Sequence, residues 1–406
     1  MRPVADAGRD GSWDVAVVGA GPAGSAAALA AAQARPGARV LLLDKADFPR
    51  DKPCGDGIAP HALDVLAGLG VPDAAAGYPP VGRLELGFPG GPVAAGDMAR
   101  PARVVPRRVF DARLVAAAQE RGAVLRRQQV REVAVLADRV LLDPGTPEQV
   151  AARVVVAADG AHSLLRRAVG MPAPRRVAFA VRGYAPAPAG AAAQVIAFGT
   201  ARWPSYAWSF PIGDGWANVG YGEPLVDGAA LSRRRLVEGV EELLPGAGGG
   251  ARDWRGHHLP LSTGRARQPD GRVLLVGDAA SLINPVTGEG IYYAVLSGSL
   301  AGRAAAMAEE PGGTYRRLLR SHLGAHLRST DAAAALSRSP RLLGAAVRGA
   351  AADARVFADL VELGLGRGVL TPRALAGVLR GAGPLAAGAP TAGPLAARRT
   401  ARRAPL

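Results

Sequence analysis

Four short apolar runs along the chain predict buried strands. They lie at residues 14–18, 40–43, 154–157 and 273–276. An alanine-rich stretch with helical character separates the first two runs and ends at a Pro-Gly pair. Uninterrupted apolar runs of this length are typical of strands covered on both faces, as in parallel sheets that alternate with helices. The pattern therefore predicts an α/β domain assembled from distant parts of the chain.

The pattern of apolar and polar residues changes between about residues 166 and 264. Short strand-like segments alternate there with Pro/Gly turns, at residues 177–185, 193–199 and 205–222. This pattern predicts a β-rich unit inserted before the last strand of the α/β domain. Beyond residue 294 the chain is rich in Ala, Leu and Arg with helical periodicity, and its last residues have low-complexity composition.

Aromatic side chains are concentrated in the β-rich unit. Tyr206, Trp208 and Phe210 alternate along one predicted strand, so that their side chains share one face. A face of this kind is either core packing beneath the sheet or the apolar wall of a pocket. The sequence alone leaves both readings open.

The charge balance changes this picture little. The chain carries 49 basic and 34 acidic residues, a net charge of +15, which ordinarily suggests an anionic partner. Lysine occurs only at Lys45 and Lys52, and the surplus of Ala, Gly, Pro and Arg is typical of a GC-rich genome. No basic stripe is interleaved with stacking aromatics, which argues against nucleic-acid binding. Part of the charge can still favour contact with an anionic membrane.

Cysteine usage and hydropathy exclude several other classes. Cys54 is the only cysteine, so an internal disulfide and a multi-cysteine metal site are excluded, and we predict no metal. No signal-peptide pattern and no run of 18 apolar residues occurs. We therefore expect a cytoplasmic protein, at most peripheral at the inner face of the membrane.

The first strand is followed by a glycine motif that indicates a dinucleotide site. Gly19, Gly21 and Gly24 stand in G-x-G-x-x-G register, and the second strand ends in Asp44. In such a unit the first glycine permits the tight turn, the second lets the backbone approach a pyrophosphate, and the third packs helix on strand. An acid at this spacing accepts hydrogen bonds from the adenosine ribose.

Two later strands also end in Asp and Gly. Asp159 follows the run at 154–157, and Gly277-Asp278 follows the run at 273–276. After Pro285, a Gly-Glu-Gly sequence opens a helix at Ile291, where backbone N–H groups can approach a ligand at the positive end of the helix dipole. The alternative reading is a strand–loop–helix without a ligand.

Two further stretches carry candidate binding residues. The Gly/Pro-rich loop at 45–60 clusters Cys54, Gly55 and Gly57, which indicates either close approach to a ligand or a surface connection. Arg107 and Arg108 stand at the entrance of an amphipathic helix predicted within residues 104–123. Either arginine can reach a phosphate or carbonyl oxygen; the alternative is a solvated pair.

Together these motifs resemble those of FAD-dependent oxidoreductases built like the aromatic hydroxylases. The stretch 52–57, KPCGDG, is similar to the cysteine-glycine loop of the geranylgeranyl reductase branch. The stretch 204–211, PSYAWSFP, followed by G-x-G at 220–222, is similar to the substrate-pocket motif of that branch. The resemblance covers about residues 13–310.

The resemblance implies FAD as the cofactor. The cofactor-binding residues that it implies are Gly19, Gly21, Pro22, Ala23, Gly24, Asp44, Lys45, Cys54, Gly55, Arg107, Asp159, Gly277, Asp278, Pro285, Gly288, Glu289, Gly290 and Ile291. The first motif would bind the ADP part, Asp278 the ribityl chain, and the segment 285–291 would lie along the isoalloxazine. Backbone N–H groups from Gly288 to Ile291 would stabilise negative charge on the reduced ring.

The resemblance also implies the substrate site and the fold. Tyr206, Trp208, Phe210 and Pro211 would bind substrate, and Cys54, Gly288 and Gly290 would lie at the reacting centre. The implied fold is α/β, a Rossmann-type FAD-binding domain with an inserted β-rich substrate domain and a helical C-terminal region. The predicted boundaries are 13–165 and 265–310 for the FAD-binding domain, 166–264 for the substrate domain, 311–380 for the helical region, and 381–406 for a disordered tail.

The implied reaction is reduction of C=C bonds in a polyprenyl chain, either a geranylgeranyl group or a menaquinone tail. Reduced flavin would deliver hydride to one alkene carbon, and a proton would reach the other from water or a nearby acid. Two alternatives stay open: a monooxygenase that hydroxylates an aromatic or polyketide-like substrate, and a flavoprotein-fold carrier without turnover. No second dinucleotide βαβ unit occurs, so NADPH would bind transiently, or a ferredoxin or another reductase would donate electrons.

Overall fold

The computed structural model describes residues 12–188, 190–199, 203–225 and 232–383. Most of the predicted disordered tail, residues 384–406, lies outside the described residues. The strands are β1 (Trp13–Val18), β2 (Val40–Asp44), β3 (Gly57–Ile58), β4 (Pro80–Gly87), β5 (Val93–Val104), β6 (Val124–Arg127), β7 (Val133–Val135), β8 (Val140–Leu142), β9 (Val150–Ala157), β10 (Val177–Pro186), β11 (Ala193–Gly199), β12 (Ser205–Gly213), β13 (Trp216–Pro224), β14 (Arg252–Pro260) and β15 (Val273–Leu275).

Helices cover the remaining regular structure of the described chain. They are α1 (Pro22–Ala34), α2 (Pro60–Gly68), α3 (Arg107–Glu120), α4 (Leu164–Ala168), α5 (Arg233–Leu243), α6 (Ile291–Met307), α7 (Pro311–Leu336), α8 (Pro340–Ala352), α9 (Ala354–Leu365) and α10 (Pro372–Gly381). A single 3-10 turn, Gly277–Ala280, follows β15.

The first sheet contains all four apolar runs that predicted buried strands. Its order is β6-β2-β1-β9-β8-β7, and β15 pairs with β9 beside this path. The strands β6, β2, β1, β9 and β15 pair in parallel, whereas β7 and β8 are antiparallel additions. Every side chain of β2 is buried, as a strand covered on both faces requires. The predicted α/β class is confirmed.

The second sheet is larger and mostly antiparallel. Its order is β14-β10-β13-β12-β11-β4-β5-β3, with one parallel pair, β11 with β4. The predicted segment at 205–222 forms two strands, β12 and β13, because Asp214 and Gly215 adopt positive φ angles of 51° and 75° and turn the chain back.

The second sheet draws on residues that the sequence reading assigned elsewhere. Strands β3, β4 and β5 lie within 13–165, yet they pair into this sheet. The pairing of β4 with β11 joins residues 83–87 to 193–197, a contact that no local pattern encodes. The boundary at residue 165 therefore differs from the division between the sheets, and the predicted domain limits stay predictions.

Helix α6 crosses α1 with almost no space between the two backbones. A Cβ added at Gly298 would lie 2.1 Å from the carbonyl oxygen of Ala23, and a Cβ added at Gly302 would lie 2.1 Å from that of Ala27. Both glycines are buried, and only a residue without a side chain permits the backbones to approach this closely. The crossing joins the end of the first glycine motif, where α1 begins, to the helix that follows the last one.

The predicted helical C-terminal region is present as α7 to α10. Helices α8 and α9 pack on β5, where the ring of Phe357 lies 2.9 Å from a Cβ built on Gly96. A separate apolar cluster forms there, around Leu84, Met98, Val347 and Val356. None of the described helices combines the length and apolarity that a bilayer-spanning segment needs.

The helix crossing makes a stability prediction. We expect Gly298→Ala to lower the free energy of unfolding by about 1–3 kcal/mol, because the new methyl group overlaps a backbone oxygen and forces the helices apart. Gly324→Ala is the matched control: it lies within α7, where an added Cβ would meet only arginine side-chain atoms at 3.4 Å or more. Alanine there should stabilise by up to about 1 kcal/mol. Denaturant midpoints of the FAD-loaded proteins measure both, and equal midpoints for Gly298→Ala and the unmodified protein would contradict the close packing.

Candidate active site

One cavity of about 740 Å³ lies against both sheets. It begins at the carboxyl ends of β1, β2, β9 and β15, represented in its wall by Val18, Asp44, Ala158 and Val276. Ligands of open α/β sheets bind at this edge. From there the cavity continues along the second sheet, and its volume suits a small-molecule site of about 300–1,000 Å³.

Most residues predicted from the sequence line this cavity. They are Gly19, Gly21, Pro22, Ala23, Asp44, Lys45, Cys54, Gly55, Arg107, Asp159, Tyr206, Trp208, Phe210, Asp278, Gly288, Glu289, Gly290 and Ile291. The structure thus brings together residues from every predicted motif.

Four predicted residues do not line the cavity. A Cβ on Gly24 would lie 1.8 Å from the carbonyl oxygen of Gly19, so Gly24 packs the helix against its own loop. A Cβ on Gly277 would lie 3.2 Å from the Cβ of Ala23, so Gly277 packs against the start of α1. Pro211 follows Phe210 on β12 and therefore points to the opposite face of the sheet. Pro285 lies outside the wall, within the loop that leads to α6.

The glycine motif ends in a fixed carboxylate. Gly19 has a φ of 100°, and a Cβ there would lie 2.2 Å from the carbonyl oxygen of Ala158. Asp44 accepts hydrogen bonds from the backbone N–H groups of Ala20 at 2.8 Å and Ala46 at 2.9 Å. Each carboxylate oxygen keeps a further lone pair. Asp44 is 8% exposed, so these bonds hold its orientation at the end of β2.

Two guanidinium groups converge on Gly21. Arg107 donates two hydrogen bonds to Asp111, at 2.6 and 2.7 Å, and Arg50 donates a third to the same carboxylate at 3.0 Å. The Nη2 atoms of Arg50 and Arg107 lie 3.5 and 3.7 Å from the position a Cβ would occupy on Gly21. Two cations around one carboxylate, beside a residue without a side chain, fit a pyrophosphate group.

Arg107 keeps its positive charge although the residue is buried, with only 4% of its surface exposed. Burial disfavours the cation, but the Asp111 carboxylate outweighs burial and raises the pKa of Arg107 above its usual range. Sequence reasoning anticipated Arg107 and missed Arg50. The only available signal was the position of Arg50 shortly after Asp44, in a loop whose course the sequence does not reveal.

Asp278 is paired with a lysine from the loop at 45–60. The Lys52 ammonium lies 3.1 Å from its Oδ2, and the Nε2 atom of His257 lies 3.8 Å from the same oxygen. Burial opposes ionisation of Asp278, but the Lys52 cation prevails and the pKa of the carboxyl falls below its usual range. Asp278 is therefore a carboxylate at neutral pH. Neither Lys52 nor His257 was predicted as a site residue.

A buried polar network holds the loop that carries Cys54. Asp56 is fully buried, with a φ of 60°, and accepts hydrogen bonds from the Tyr184 hydroxyl at 2.7 Å and the Asn218 amide at 2.8 Å. The Asn218 amide also donates to the carbonyl oxygen of Cys54 at 2.8 Å. The Trp208 indole N–H donates to the oxygen of the Asn218 amide at 2.8 Å. The network therefore links the Cys54 loop to β12 and β13.

Two titratable groups of this loop are shifted by burial. Burial raises the pKa of Asp56 to about 6, although the bond from Tyr184 and the charge of Arg182 oppose the rise. Its Oδ1 atom has no hydrogen-bond partner within the described part of the chain. Burial also raises the pKa of Cys54, against the opposing charge of Arg107. Cys54 is therefore a thiol at neutral pH, not a thiolate.

The aromatic residues of β12 form one wall of the cavity. The ring centroids of Tyr206 and Trp208 lie 5.9 Å apart, and those of Trp208 and Phe210 lie 6.4 Å apart. A Cβ on Gly220 would lie 2.2 Å from the Trp208 ring, so the G-x-G that follows makes room for it. A Cβ on Gly55 would lie 3.4 Å from the Phe210 ring.

The loop before α6 offers fewer free N–H groups than its sequence suggested. Gly288 donates to the carbonyl oxygen of Asn284 at 3.0 Å, and Glu289 donates to the Thr287 hydroxyl at 3.3 Å. The N–H groups of these two residues are therefore engaged within the loop, which counts against the expectation that they stabilise negative charge on the reduced ring. The loop bends at Gly288, where φ is 73°, and the N–H groups of Gly288 and Glu289 form hydrogen bonds within this bend.

The C-terminal helices brace this loop, a role that the sequence did not reveal. The Asn284 amide donates to the carbonyl oxygens of Leu363 at 3.1 Å and Gly364 at 3.2 Å. The Thr287 hydroxyl donates to Gly364 at 2.7 Å. Leu365, the last residue of α9, lines the cavity. The end of α9 thus completes the wall next to the loop.

Comparisons with known proteins agree with this geometry. A family model described as an FAD binding domain matches residues 12–185. Menaquinone reductase of Mycobacterium tuberculosis is 35% identical over 323 residues, which are 72% of this chain and 76% of that protein. Digeranylgeranylglycerophospholipid reductase 1 of Methanopyrus kandleri is 34% identical over 338 residues, covering 76% of this chain and 84% of that protein.

A solved structure has the same fold across nearly the whole chain. It is a geranylgeranyl bacteriochlorophyll reductase-like protein from Thermoplasma acidophilum, with a TM-score of 0.74 and 23% identity, covering 91% of this chain and 95% of the other. This likeness extends to the second sheet and the C-terminal helices. The chain therefore belongs to the geranylgeranyl reductase family of FAD-dependent oxidoreductases, which share the aromatic-hydroxylase-like FAD-binding fold.

Proposed function

We propose that the protein is an FAD-dependent reductase that saturates C=C bonds of a polyprenyl chain. The observation that carries the proposal is the continuity of one cavity from the charged groups around Gly21 to the aromatic wall of β12. The printed names of the two relatives, a menaquinone reductase and a digeranylgeranylglycerophospholipid reductase, support a prenylated substrate.

The far end of the cavity suits an isoprenoid chain. Beyond the aromatic wall its lining is supplied by Leu84, Ala102, Ile196 and Leu365, from β4, β5, β11 and α9. An isoprenoid chain has only apolar surface for recognition, and burial of such surface stabilises a complex by about 25 cal/mol per Å². A geranylgeranyl group and a menaquinone tail both fit this chemistry.

The opposite end suits FAD. The ADP part would lie against Gly19–Ala23 and Asp44, with its pyrophosphate between Arg50 and Arg107. Asp278, held ionised by Lys52, would accept hydrogen bonds from the ribityl hydroxyls. Bound and reduced, FAD supplies the hydride.

The chain's own groups would position the alkene and exclude water from it. The aromatic wall would hold the prenyl chain, and the neutral thiol of Cys54 would shape the pocket without adding charge. Gly290 and Ile291 line the cavity, and the Ile291 backbone N–H is directed at the Glu289 carboxyl. For the electron donor we propose NADPH bound transiently, or a ferredoxin or another reductase, and for access to lipid substrates a peripheral contact with the membrane.

The cofactor assignment predicts that a side chain at Gly21 removes FAD. Gly21→Val would place its Cβ within 3.5 Å of the Arg50 guanidinium and its methyl groups in the cavity. The Gly21 backbone has a φ of −71°, so valine adds bulk without backbone strain. We expect most bound FAD to be lost, as measured by visible absorbance per protein. Gly68→Ala, on α2 with nothing within 4 Å of its new Cβ, should keep full FAD; equal FAD in both variants would count against this pyrophosphate site.

The substrate wall predicts a graded effect at Trp208. Trp208→Ala should lower kcat/KM for a prenyl substrate about ten- to a hundredfold with FAD still bound, because an apolar contact of about 1.5–3 kcal/mol is lost. Trp208→Phe keeps apolar surface but loses the bond to Asn218, and should fall in between. Trp216→Ala is the control: Trp216 stacks on Arg252 at 4.2 Å and is not part of the cavity wall. Unchanged kinetics in Trp208→Ala would remove Trp208 from the substrate site.

An anaerobic assay tests the reaction itself. The FAD-loaded protein is reduced with dithionite under argon and then mixed with geranylgeranyl diphosphate or a menaquinone in separate vessels. We expect flavin reoxidation and a product heavier by two hydrogens per reduced bond, with one of the two substrates. Flavin that stays reduced until air enters would instead favour a monooxygenase. A carrier would be indicated if, in a parallel experiment without dithionite, no physiological donor such as NADPH reduces the bound FAD.

A further inference from the structure

We propose that the carboxylic acid of Glu289 delivers the proton to the alkene carbon that does not receive the hydride. The inference rests on the proposed function, since saturation of a C=C bond needs both. Reduced FAD would supply the hydride, whose electron pair forms one C–H bond, and loss of the hydride would leave the flavin oxidised. The π electrons of the alkene form the second C–H bond with the Glu289 proton, and the O–H bond breaks to leave a carboxylate.

Glu289 lies where the two ends of the cavity meet. It stands between Gly288 and Gly290, immediately before α6, and lines the cavity. Tyr206, the first residue of the aromatic wall, is tied to the same loop by a hydrogen bond from its hydroxyl to the carbonyl oxygen of Thr287 at 2.7 Å. A substrate held against this wall therefore passes beside the Glu289 carboxyl.

The other proton-bearing groups near this point are less suited. Burial raises the pKa of Tyr206, and its hydroxyl proton is engaged by Thr287. Burial also raises the pKa of the Cys54 thiol. Asp56 is fully buried and its carboxyl is held by Tyr184 and Asn218. Glu289 is only partly buried, so its carboxyl can contact substrate.

The surroundings of Glu289 match an acid that works near neutral pH. The titratable groups that face it are Cys54 from the loop at 45–60, Tyr206 from β12 and Tyr293 from α6. Among the residues that the structure describes, no cation lies within ion-pair distance of it. Burial raises its pKa to about 7, so both protonation states are populated at physiological pH, which is the condition for efficient general acid catalysis.

The structure already holds a hydrogen-bond donor for the carboxylate that Glu289 becomes when it gives up its proton. Oε1 of Glu289 accepts a hydrogen bond from the backbone N–H of Tyr292 at 2.8 Å, in the first turn of α6. This donor, together with the positive end of the helix dipole, strengthens its interaction as negative charge develops. The same contact opposes the effect of burial on the pKa, and it fixes the side chain at the entrance of the helix.

The test compares Glu289→Gln with Glu241→Gln in the FAD-loaded full-length protein. Glutamine keeps an oxygen that can accept the Tyr292 N–H but has no acidic proton. Glu241 is the matched control because its carboxylate also accepts backbone N–H groups, those of Gly246 at 2.8 Å and Gly248 at 2.9 Å, away from the cavity. Bound FAD is measured in each variant by visible absorbance, and all rates are expressed per bound FAD, because Glu289 is itself among the implied cofactor-binding residues.

The first readout needs no substrate. Infrared difference spectra across a pH titration should show a carboxylic C=O band that disappears near pH 7, in addition to the Asp56 band that disappears near pH 6. The pH 7 band should be absent in Glu289→Gln and present in Glu241→Gln. A spectrum without the pH 7 band, or a pH 7 band that remains in Glu289→Gln, would overturn the inference.

The second readout is flavin reoxidation by the prenyl substrate under argon. For the unmodified protein the rate should fall as pH rises through about 7, because the raised pKa keeps the acid form only below it. Glu289→Gln should be slower by about 10²–10⁴-fold and lose this dependence. Turnover kept in Glu289→Gln with the unmodified pH profile overturns the role of Glu289 alone. No turnover in the unmodified protein overturns the proposed function and this role with it.

Discussion

The contact between α1 and α6 is the constraint on which the site depends. The carbonyl oxygens of Ala23 and Ala27 occupy the space that side chains at Gly298 and Gly302 would need. Because the two helices touch through their backbones, the turn before α1 and the loop before α6 come to the same edge of the first sheet. Helices held apart by ordinary side chains, at axial distances of about 8–10 Å, would widen the cavity between these two loops.

This edge of the sheet is organised by pairs of opposite charges that are buried or half-buried. Asp111 accepts from both Arg107 and Arg50, and Asp278 faces Lys52. A buried charge without such a partner costs several kcal/mol, so the pairs must form together with the fold. Arg107 and Asp111 belong to α3, and Asp278 belongs to the turn after β15. Their partners Arg50 and Lys52 come from the loop at 45–60. The ion pairs therefore fix that loop, and with it Cys54, over the cavity.

The sequence indicated the elements that local pattern controls. The apolar runs predicted β1, β2, β9 and β15, because strands buried on both faces need uninterrupted apolar side chains. The glycine motif predicted the turn at Gly19, since its φ of 100° is a local requirement of the chain. Alternation along β12 predicted that three aromatic rings share one face.

Features that depend on distant pairing were not available from the sequence. Strands β4 and β5 have weak local patterns and join the second sheet through β11, far along the chain. Asn218 shows no motif, yet it connects Trp208, Cys54 and Asp56. Lys52 stood within a recognised loop, but its role depends on where that loop ends relative to β15. Such roles follow from the assembled fold.

Burial raises the pKa of the Asp56 and Glu289 carboxyls alike, but their different hydrogen-bond partners suit them to different roles. The pKa of Asp56 rises to about 6 and that of Glu289 to about 7. Asp56 is enclosed by the donors Tyr184 and Asn218 and by the charge of Arg182, so a change in its protonation disturbs the whole network. Glu289 has backbone N–H groups as its donors and an open side toward the cavity. A carboxyl with many side-chain partners holds a loop in place, whereas one with few partners and access to substrate can exchange a proton at little structural cost.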